Sequence, residues 1–311
     1  MILSVSRRTD IPAFYSKWFF NRIHEGFVDV RNPMNVHQVS RVNIKPDVVD
    51  CIVFWTKHAQ PIMKRLHELD EYNYYFQYTI NPYDRLIERN VPQKKGIIEN
   101  FRDLSDQIGL TRVVWRYDPI LITDKVDFDY HIKYFEELAK RLSGYTQRCV
   151  ISFVDLYKKT VRNTQALNMR EPTVDEMHRF ASLMTDIANN YGMKVVSCSE
   201  KEDLGKEGVE HGCCIDRKLI EQIVGYELDV KKDKNQREEC GCVQSIDIGE
   251  YNTCMHNCKY CYANFNSEKV ENQNKLHNPL SSLLIGELMA DDKIKEREVK
   301  LLKKIDLFST K

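Results

Sequence analysis

CIVFWT (51–56), YYFQYT (74–79) and RVVWRY (112–117) are three short, nearly continuous apolar runs in the first half of the chain. They are rich in β-branched and aromatic residues, which is typical of strands covered on both faces. The residues between them, near 59–70 and 87–107, favour amphipathic helices. Strands that alternate with helices in this way predict a parallel sheet with right-handed crossovers, either open or closed into a barrel.

The same alternation continues on both sides of this stretch. Further strands are expected at 2–6, 149–154, 194–198 and 243–251, and further helices near 13–25, 128–143 and 174–191. One or two helices are also expected between about 279 and 304. A chain of 311 residues is an ordinary length for one α/β domain. We therefore expect a single domain over residues 1–311.

The overall composition argues against two classes of partner. Lysine plus arginine (46) equals aspartate plus glutamate (46), so no global field attracts a polyanion, and nucleic-acid binding would need a local basic patch. No apolar run approaches the roughly 20 residues of a membrane span. The N-terminus, MILSVSRRTDIP, lacks the pattern of a signal peptide. These features predict a cytoplasmic protein whose thiols are kept reduced.

The cysteines are crowded into one part of the chain. Eight of the ten lie between residues 198 and 261. In a reducing compartment such crowding indicates metal binding before disulfides. The other two, Cys51 and Cys149, each open an apolar strand and are expected to be small core residues.

The segment CMHNCKYC (254–261) carries the strongest chemical signal. The thiolates of Cys254, Cys258 and Cys261 are separated by three and then two residues. They could bind three irons of a cubane [4Fe–4S] cluster and leave the fourth iron open to another ligand. Zinc held by the same cysteines and His256 is the alternative, but a histidine midway between two cysteines is a poor spacing for a zinc knuckle.

This spacing, with Tyr260 directly before the third cysteine, resembles the signature of the radical S-adenosylmethionine (SAM) superfamily. The resemblance implies that the open iron binds SAM and that an electron from a donor such as flavodoxin or ferredoxin releases a 5′-deoxyadenosyl radical. That radical would abstract hydrogen from a substrate that the resemblance does not identify. The run Tyr260-Cys261-Tyr262 also looks like the loop of spore photoproduct lyase, which makes nucleic acid a candidate substrate that the neutral charge does not support.

Several motifs extend the resemblance over nearly the whole chain. SRRTDIP near the N-terminus, SCSE (197–200) and the CGC…DIGEYNTC…YCYAN run resemble the domain of unknown function family 1848, which looks like a radical SAM group with a C-terminal cysteine motif. In typical radical SAM enzymes the cysteine loop follows the first strand of a partial (β/α)6 barrel. Here it follows the last predicted strand. We therefore expect a circularly permuted partial (β/α) barrel, with strand 243–251 beside strand 2–6.

Polar residues at the ends of the predicted strands are candidates for holding SAM, since active sites of parallel α/β folds gather at the carboxyl edge of the sheet. No Gly-Gly-Glu follows the first strand, and Arg7, Arg8 and Asp10 occupy that position instead. With Arg116 and Tyr260 they form the predicted cofactor-binding set. The sequence identifies no catalytic residue.

Four other cysteines could form a second metal site. Cys198, Cys214, Cys240 and Cys242 would supply four thiolates, which suit a closed [4Fe–4S] cluster or a zinc ion. Buried free cysteines are the remaining alternative, and the choice between Cys213 and Cys214 is open. Residues 198–262 would then carry all the metal ligands. The rival functional hypothesis is a zinc- or iron–sulfur-stabilised nucleic-acid-binding or redox protein without SAM chemistry.

Overall fold

An eight-stranded parallel sheet dominates the computed structural model, which describes residues 1–156 and 158–304. The strands, in chain order, are β1 (Ile2–Val5), β2 (Phe27–Asn32), β3 (Asn35–Asn43), β4 (Cys51–Thr56), β5 (Tyr74–Thr79), β6 (Val113–Ile120), β7 (Arg148–Phe153), β8 (Lys194–Cys198), β9 (Glu210–Gly212), β10 (Ile246–Asp247) and β11 (Lys293–Arg297). The main sheet has the order β10-β1-β4-β5-β6-β7-β8-β9, while β11, β3 and β2 form a second sheet. The prediction of an α/β fold with a parallel sheet is confirmed.

The helices lie mainly between successive strands of the main sheet. They are α1 (Ile11–Phe14), α2 (Ser16–Glu25), α3 (Gln60–Met63), α4 (Lys94–Ile108), α5 (Phe128–Leu142), α6 (Lys158–Thr164), α7 (Val174–Asn190), α8 (Arg217–Val224) and α9 (Ser267–Asn274). Short 3-10 helices span Leu66–Leu69, Leu110–Arg112, Gln165–Leu167 and Gly205–Glu207. Helix α7 begins with a capping box, in which Thr173 and Glu176 satisfy each other's backbone N–H groups. No helix in the two described ranges has the length and hydropathy needed to cross a bilayer.

Both faces of the main sheet are buried, as its apolar strands predict. On one face, Phe54 and Trp115 pack against helix residues Phe19 and Phe135, with ring centroids 5.4 and 5.0 Å apart. On the other face, the alternate residues of the same strands pack against α8 and the cysteine-bearing segments beside it. This second face, called the inner face below, is therefore covered by residues between 213 and 243.

The strand before the cysteine loop lies where the sequence predicts. β10 pairs in parallel with β1, with Leu3 opposite Ile246 and Ser4 opposite Asp247. The strand is shorter than the expected 243–251, because only Ile246–Asp247 pairs. Beyond it the backbone runs so close to Ser6, the residue after β1, that a Cβ on Gly249 would lie 2.0 Å from Ser6 Oγ and 2.5 Å from Ser6 Cβ, so any residue larger than glycine would displace its neighbours.

The prediction of one or two helices between about 279 and 304 is wrong. The segment forms turns, with Leu283, Leu284 and Ile285 buried, and ends in the exposed strand β11 beside β3. Side chains of α2 satisfy backbone carbonyls of this segment that a helix would have satisfied internally. For example, Trp18 Nε1 donates to the Ser281 carbonyl at 3.0 Å. The helix expected near 13–25 is also divided, into α1 and α2, and the helix expected near 87–107 begins only at α4.

Candidate functional site

The loop that carries Cys254, Cys258 and Cys261 lies over the carboxyl edge of the sheet. Its two ends meet where the Asn252 N–H donates to the Ala263 carbonyl at 3.0 Å. On one side, Tyr15 Oη donates to the Thr253 carbonyl at 2.7 Å. On the other side, the loop forms backbone hydrogen bonds with the segment that follows β5, over residues 87–90. The loop is thus fixed between the chain that leaves β1 and the chain that leaves β5.

Asp10 joins three of the segments around the loop. Its Oδ2 accepts hydrogen bonds from the Lys57 N–H at 2.7 Å and from His256 Nε2 at 2.8 Å, and its Oδ1 accepts from the Ala13 N–H at 2.9 Å. Asp10 and His256 are both buried. The second ring nitrogen of His256, Nδ1, is buried and has no hydrogen-bond partner in the described structure. Asp10 therefore ties the cysteine loop to the ends of β1 and β4.

The three loop thiols are close enough to influence one another's charge. Burial raises the pKa of Cys258 to about 12, although the Lys57 ammonium acts in the opposite direction. Burial also raises the pKa of Cys254 well above its usual range, and the other two loop cysteines and Asp10 add to the shift. A cation bound among these thiols would remove the repulsion between their thiolate forms.

Within the described ranges, one group of three or more potential metal ligands has all its ligand atoms within 4.8 Å of one another, and it is the surface group His37, Asp291 and Asp292. The loop cysteines and the second cysteine group are both more widely spread, so the sulfur spacing does not separate zinc from a cluster at either place.

Tyr260 is anchored beneath the loop by a buried charge cluster. Its Oη donates to Glu88 Oε1 at 2.5 Å, and Glu88 also forms ion pairs with Lys57, at 2.8 Å, and Lys94. Burial alone would raise the pKa of Glu88, but the two ammonium groups outweigh it and lower the pKa to about 2. Of the charges in this cluster, Lys57 favours the thiolate form of Cys258 and Glu88 disfavours it. Sequence reasoning missed Glu88, because it fell inside the predicted helix near 87–107 and carries no motif.

Asp247 and Arg8 connect β10 to the turn after β1. Asp247 accepts hydrogen bonds from Ser4 Oγ at 2.9 Å, Ser6 Oγ at 2.6 Å and the Arg7 N–H at 2.9 Å. Arg8 Nη1 donates to the Gly249 carbonyl at 3.2 Å, and its side chain is 25% exposed. Among the residues predicted to bind a cofactor, Arg8, Asp10 and Tyr260 thus border the cysteine loop.

The other two predicted cofactor ligands lie on the inner face of the sheet, beside the second cysteine group. The Arg116 guanidinium pairs with Asp118, donates to Cys214 Sγ at 2.6 Å and lies over the Trp55 ring at 5.2 Å. Arg7 lies over the same ring at 5.5 Å.

The four cysteines predicted for a second metal site come together in the structure. Cys198 Sγ lies 2.9 Å from Cys214 Sγ, and the thiols of Cys214, Cys242 and Cys240 lie close enough to shift one another's pKa. Of the two adjacent cysteines, Cys214 contacts Cys198 Sγ and the Arg116 guanidinium, whereas Cys213 interacts with Cys198 and Cys242 only electrostatically among the described contacts.

Comparisons with known proteins identify the family and little beyond it. No curated protein matches the chain. A solved structure described as an alpha-L-fucosidase from Bacteroides thetaiotaomicron is 11% identical, over 57% of this chain and 72% of its own length, with a TM-score of 0.25. A score this low carries no argument about fold or function. The model of the domain of unknown function DUF1848 matches residues 2–263, and the chain therefore belongs to that family.

Proposed function

We propose that this chain is a radical SAM enzyme whose [4Fe–4S] cluster is held by Cys254, Cys258 and Cys261. The observation that carries the proposal is the three-cysteine spacing on a loop fastened at the carboxyl edge of a parallel sheet. When bound, the cluster would supply the electron that cleaves SAM and yields a 5′-deoxyadenosyl radical. Three thiolates leave one position of a four-iron cluster without a protein ligand, and that position is where SAM would bind.

One charged group beside the loop supports metal-bound thiolates. The Lys57 ammonium favours the thiolate form of Cys258, which is the form that binds iron.

The residues around the loop would have separate tasks. Arg8, with a partly exposed guanidinium next to the loop, is the candidate for holding the SAM carboxylate. Both carboxylate oxygens of Asp10 already accept protein hydrogen bonds, so Asp10 would act as a positioning residue for the loop. Tyr260, held by Glu88, would fix the loop directly before its third cysteine.

The strand order supports a permuted partial barrel of the radical SAM type. Once β10 is moved ahead of β1, the order of strands along the main sheet is the order of the chain. Serial order with parallel neighbours is the arrangement of a (β/α) barrel wall. In that arrangement β10 takes the first-strand position, and the cysteine loop follows it directly.

Reductive cleavage of SAM tests the proposal. The anaerobically reconstituted full chain is incubated with SAM and dithionite, which replaces the flavodoxin or ferredoxin expected as donor, and 5′-deoxyadenosine is measured. We expect product from the wild type, none from Cys258→Ala, and undiminished product from Cys149→Ala, a buried cysteine outside both cysteine groups. A brown, fully iron-loaded protein that forms no 5′-deoxyadenosine would favour a redox protein instead. A colourless zinc protein would overturn the cluster itself.

A further inference from the structure

A second group of cysteines occupies the inner face of the sheet, apart from the loop. Cys198 ends β8, Cys214 follows β9, and Cys240 and Cys242 lie in the segment before β10. Three of them are buried and Cys198 is half-buried. Residues far apart in the chain thus bring four thiols to one place.

The four thiols lie close together. Cys214 Sγ is 2.9 Å from Cys198 Sγ, and Cys214, Cys242 and Cys240 are near enough to shift one another's pKa. The protein holds Cys214 firmly, because Tyr75 Oη and Gln77 Nε2 both donate to its carbonyl, at 2.6 and 2.9 Å. Tyr75 and Gln77, two residues of β5, thereby fix the backbone of Cys214.

Several N–H donors point at these sulfurs. Arg116 Nη1 donates to Cys214 Sγ at 2.6 Å, and the Ile215 N–H donates to Cys242 Sγ at 3.3 Å. The Arg7 guanidinium interacts electrostatically with Cys242, Cys214 and Cys240, and its Nη2 is buried without a hydrogen-bond partner in the described structure. Donors of this kind stabilise thiolates far more than neutral thiols, and they commonly surround metal-bound sulfur.

A disulfide does not explain the arrangement, because 2.9 Å between Cys198 Sγ and Cys214 Sγ exceeds the S–S bond length of about 2.05 Å. Each guanidinium already has a carboxylate partner, Asp118 for Arg116 and Asp233 for Arg7. Both nevertheless also interact with the sulfurs, an arrangement that suits thiolates and that inert core cysteines do not require.

We propose that Cys198, Cys214, Cys240 and Cys242 form a second metal centre with four thiolate ligands. Four protein ligands close the centre, so it has no free position for SAM. A zinc ion or an iron–sulfur cluster satisfies the same thiolate chemistry. On zinc, the sulfurs of Cys198 and Cys214 would separate by about 0.9 Å to reach the tetrahedral spacing; a cluster would move them farther. Arg7 and Arg116 would donate to the bound sulfurs and position them. The proposal does not depend on SAM chemistry at the loop.

Metal analysis of a loop-deficient variant tests this centre on its own. The full chain with Cys254→Ala, Cys258→Ala and Cys261→Ala is purified without oxygen, and zinc, iron and acid-labile sulfide are counted per chain. We expect about one zinc, or about four irons with sulfide, to remain. Adding Cys242→Ser removes that metal, whereas adding Cys213→Ser, the matched control, leaves it in place.

The outcomes separate the two proposals. If the loop-deficient variant folds, as judged by circular dichroism, and holds no stoichiometric metal, the second centre is overturned, whatever the wild type does with SAM. If that variant does not fold, Cys242→Ser and Cys213→Ser are compared in the otherwise intact chain. The proposal is supported if Cys242→Ser loses the metal of one centre and Cys213→Ser does not. It is contradicted if the two variants hold the same amount of metal.

Discussion

Replacing Asp10 by alanine removes the residue that ties the cysteine loop to the sheet. The substitution deprives the Lys57 N–H, the Ala13 N–H and His256 Nε2 of their acceptor. The site is buried, with Asp10 5% and His256 2% exposed, so water does not readily replace the carboxylate. We therefore expect both a less stable fold and a poorly held loop.

The size of the effect follows from the three lost contacts. A buried donor left unsatisfied costs about 1–3 kcal/mol, and loss of a side-chain cap such as the one on α1 costs about 0.5–2 kcal/mol. With partial relaxation, the free energy of unfolding should fall by about 3–5 kcal/mol in Asp10→Ala. Asp186→Ala, at an exposed position on α7, should change it by less than about 0.5 kcal/mol.

Urea unfolding of the metal-free proteins measures this difference, and iron content after anaerobic reconstitution measures the effect on the loop. We expect Asp10→Ala to retain less iron than Asp186→Ala. If Asp10→Ala unfolds at the same urea concentration as Asp186→Ala and binds as much iron, the positioning role assigned to Asp10 is refuted.

Three further predictions concern the surroundings of the site. Gly249→Ala places a Cβ 2.0 Å from Ser6 Oγ, and it should cost about 1–3 kcal/mol in urea unfolding and lower the iron content. Glu88→Gln leaves Lys57 without its buried partner, and thermal unfolding should show a loss of about 3 kcal/mol; unchanged stability would contradict the charge cluster. Burial raises the pKa of Glu200 to about 8, so the folded state keeps a proton that the unfolded state releases above about pH 4.5. Stability should therefore fall as pH rises toward 8, by up to about 1.4 kcal/mol per unit, and Glu200→Gln should lack that slope in urea titrations at several pH values.

The strands of the main sheet were predictable because their residues are apolar on both faces. β4, β5 and β8 lie where the sequence predicts them, at 51–56, 74–79 and 194–198. The hairpin of β2 and β3 was not predicted. Most residues of β3 are either exposed or half-buried, so its sequence lacks the continuous apolar run that marks a buried strand.

The segment after the cysteine loop shows why an apolar run does not always form a helix. LSSLLIGELM (280–289) has the apolar content of a buried helix, but Leu283, Leu284 and Ile285 are buried in turns and Leu280 is exposed. Trp18, Asn21 and Arg22 of α2 donate to carbonyls of residues 279–281. These tertiary hydrogen bonds satisfy the backbone without a helix, and no local sequence pattern reveals them.

For the candidate site, cysteine spacing indicated candidate ligands but not their surroundings. The sequence could group Cys198, Cys240 and Cys242 with either Cys213 or Cys214, and only the fold shows that Cys214 is the one in contact with Cys198. The buried partners of Glu88 were invisible, because an ion pair between residues far apart in the chain leaves no periodic signal. Spacing along the chain yields a hypothesis about ligands, whereas electrostatic interactions that depend on tertiary contacts leave no such pattern.

The central claim is that three loop thiolates hold an iron–sulfur cluster with one open position. Its most direct test is electron paramagnetic resonance of the dithionite-reduced full chain carrying Cys242→Ser, which removes the proposed second centre, recorded with and without SAM. We expect the signal of a reduced [4Fe–4S] cluster that changes when SAM is added, because SAM binds the open iron. A protein without iron at the loop, or a cluster signal that SAM leaves unchanged, would contradict the account.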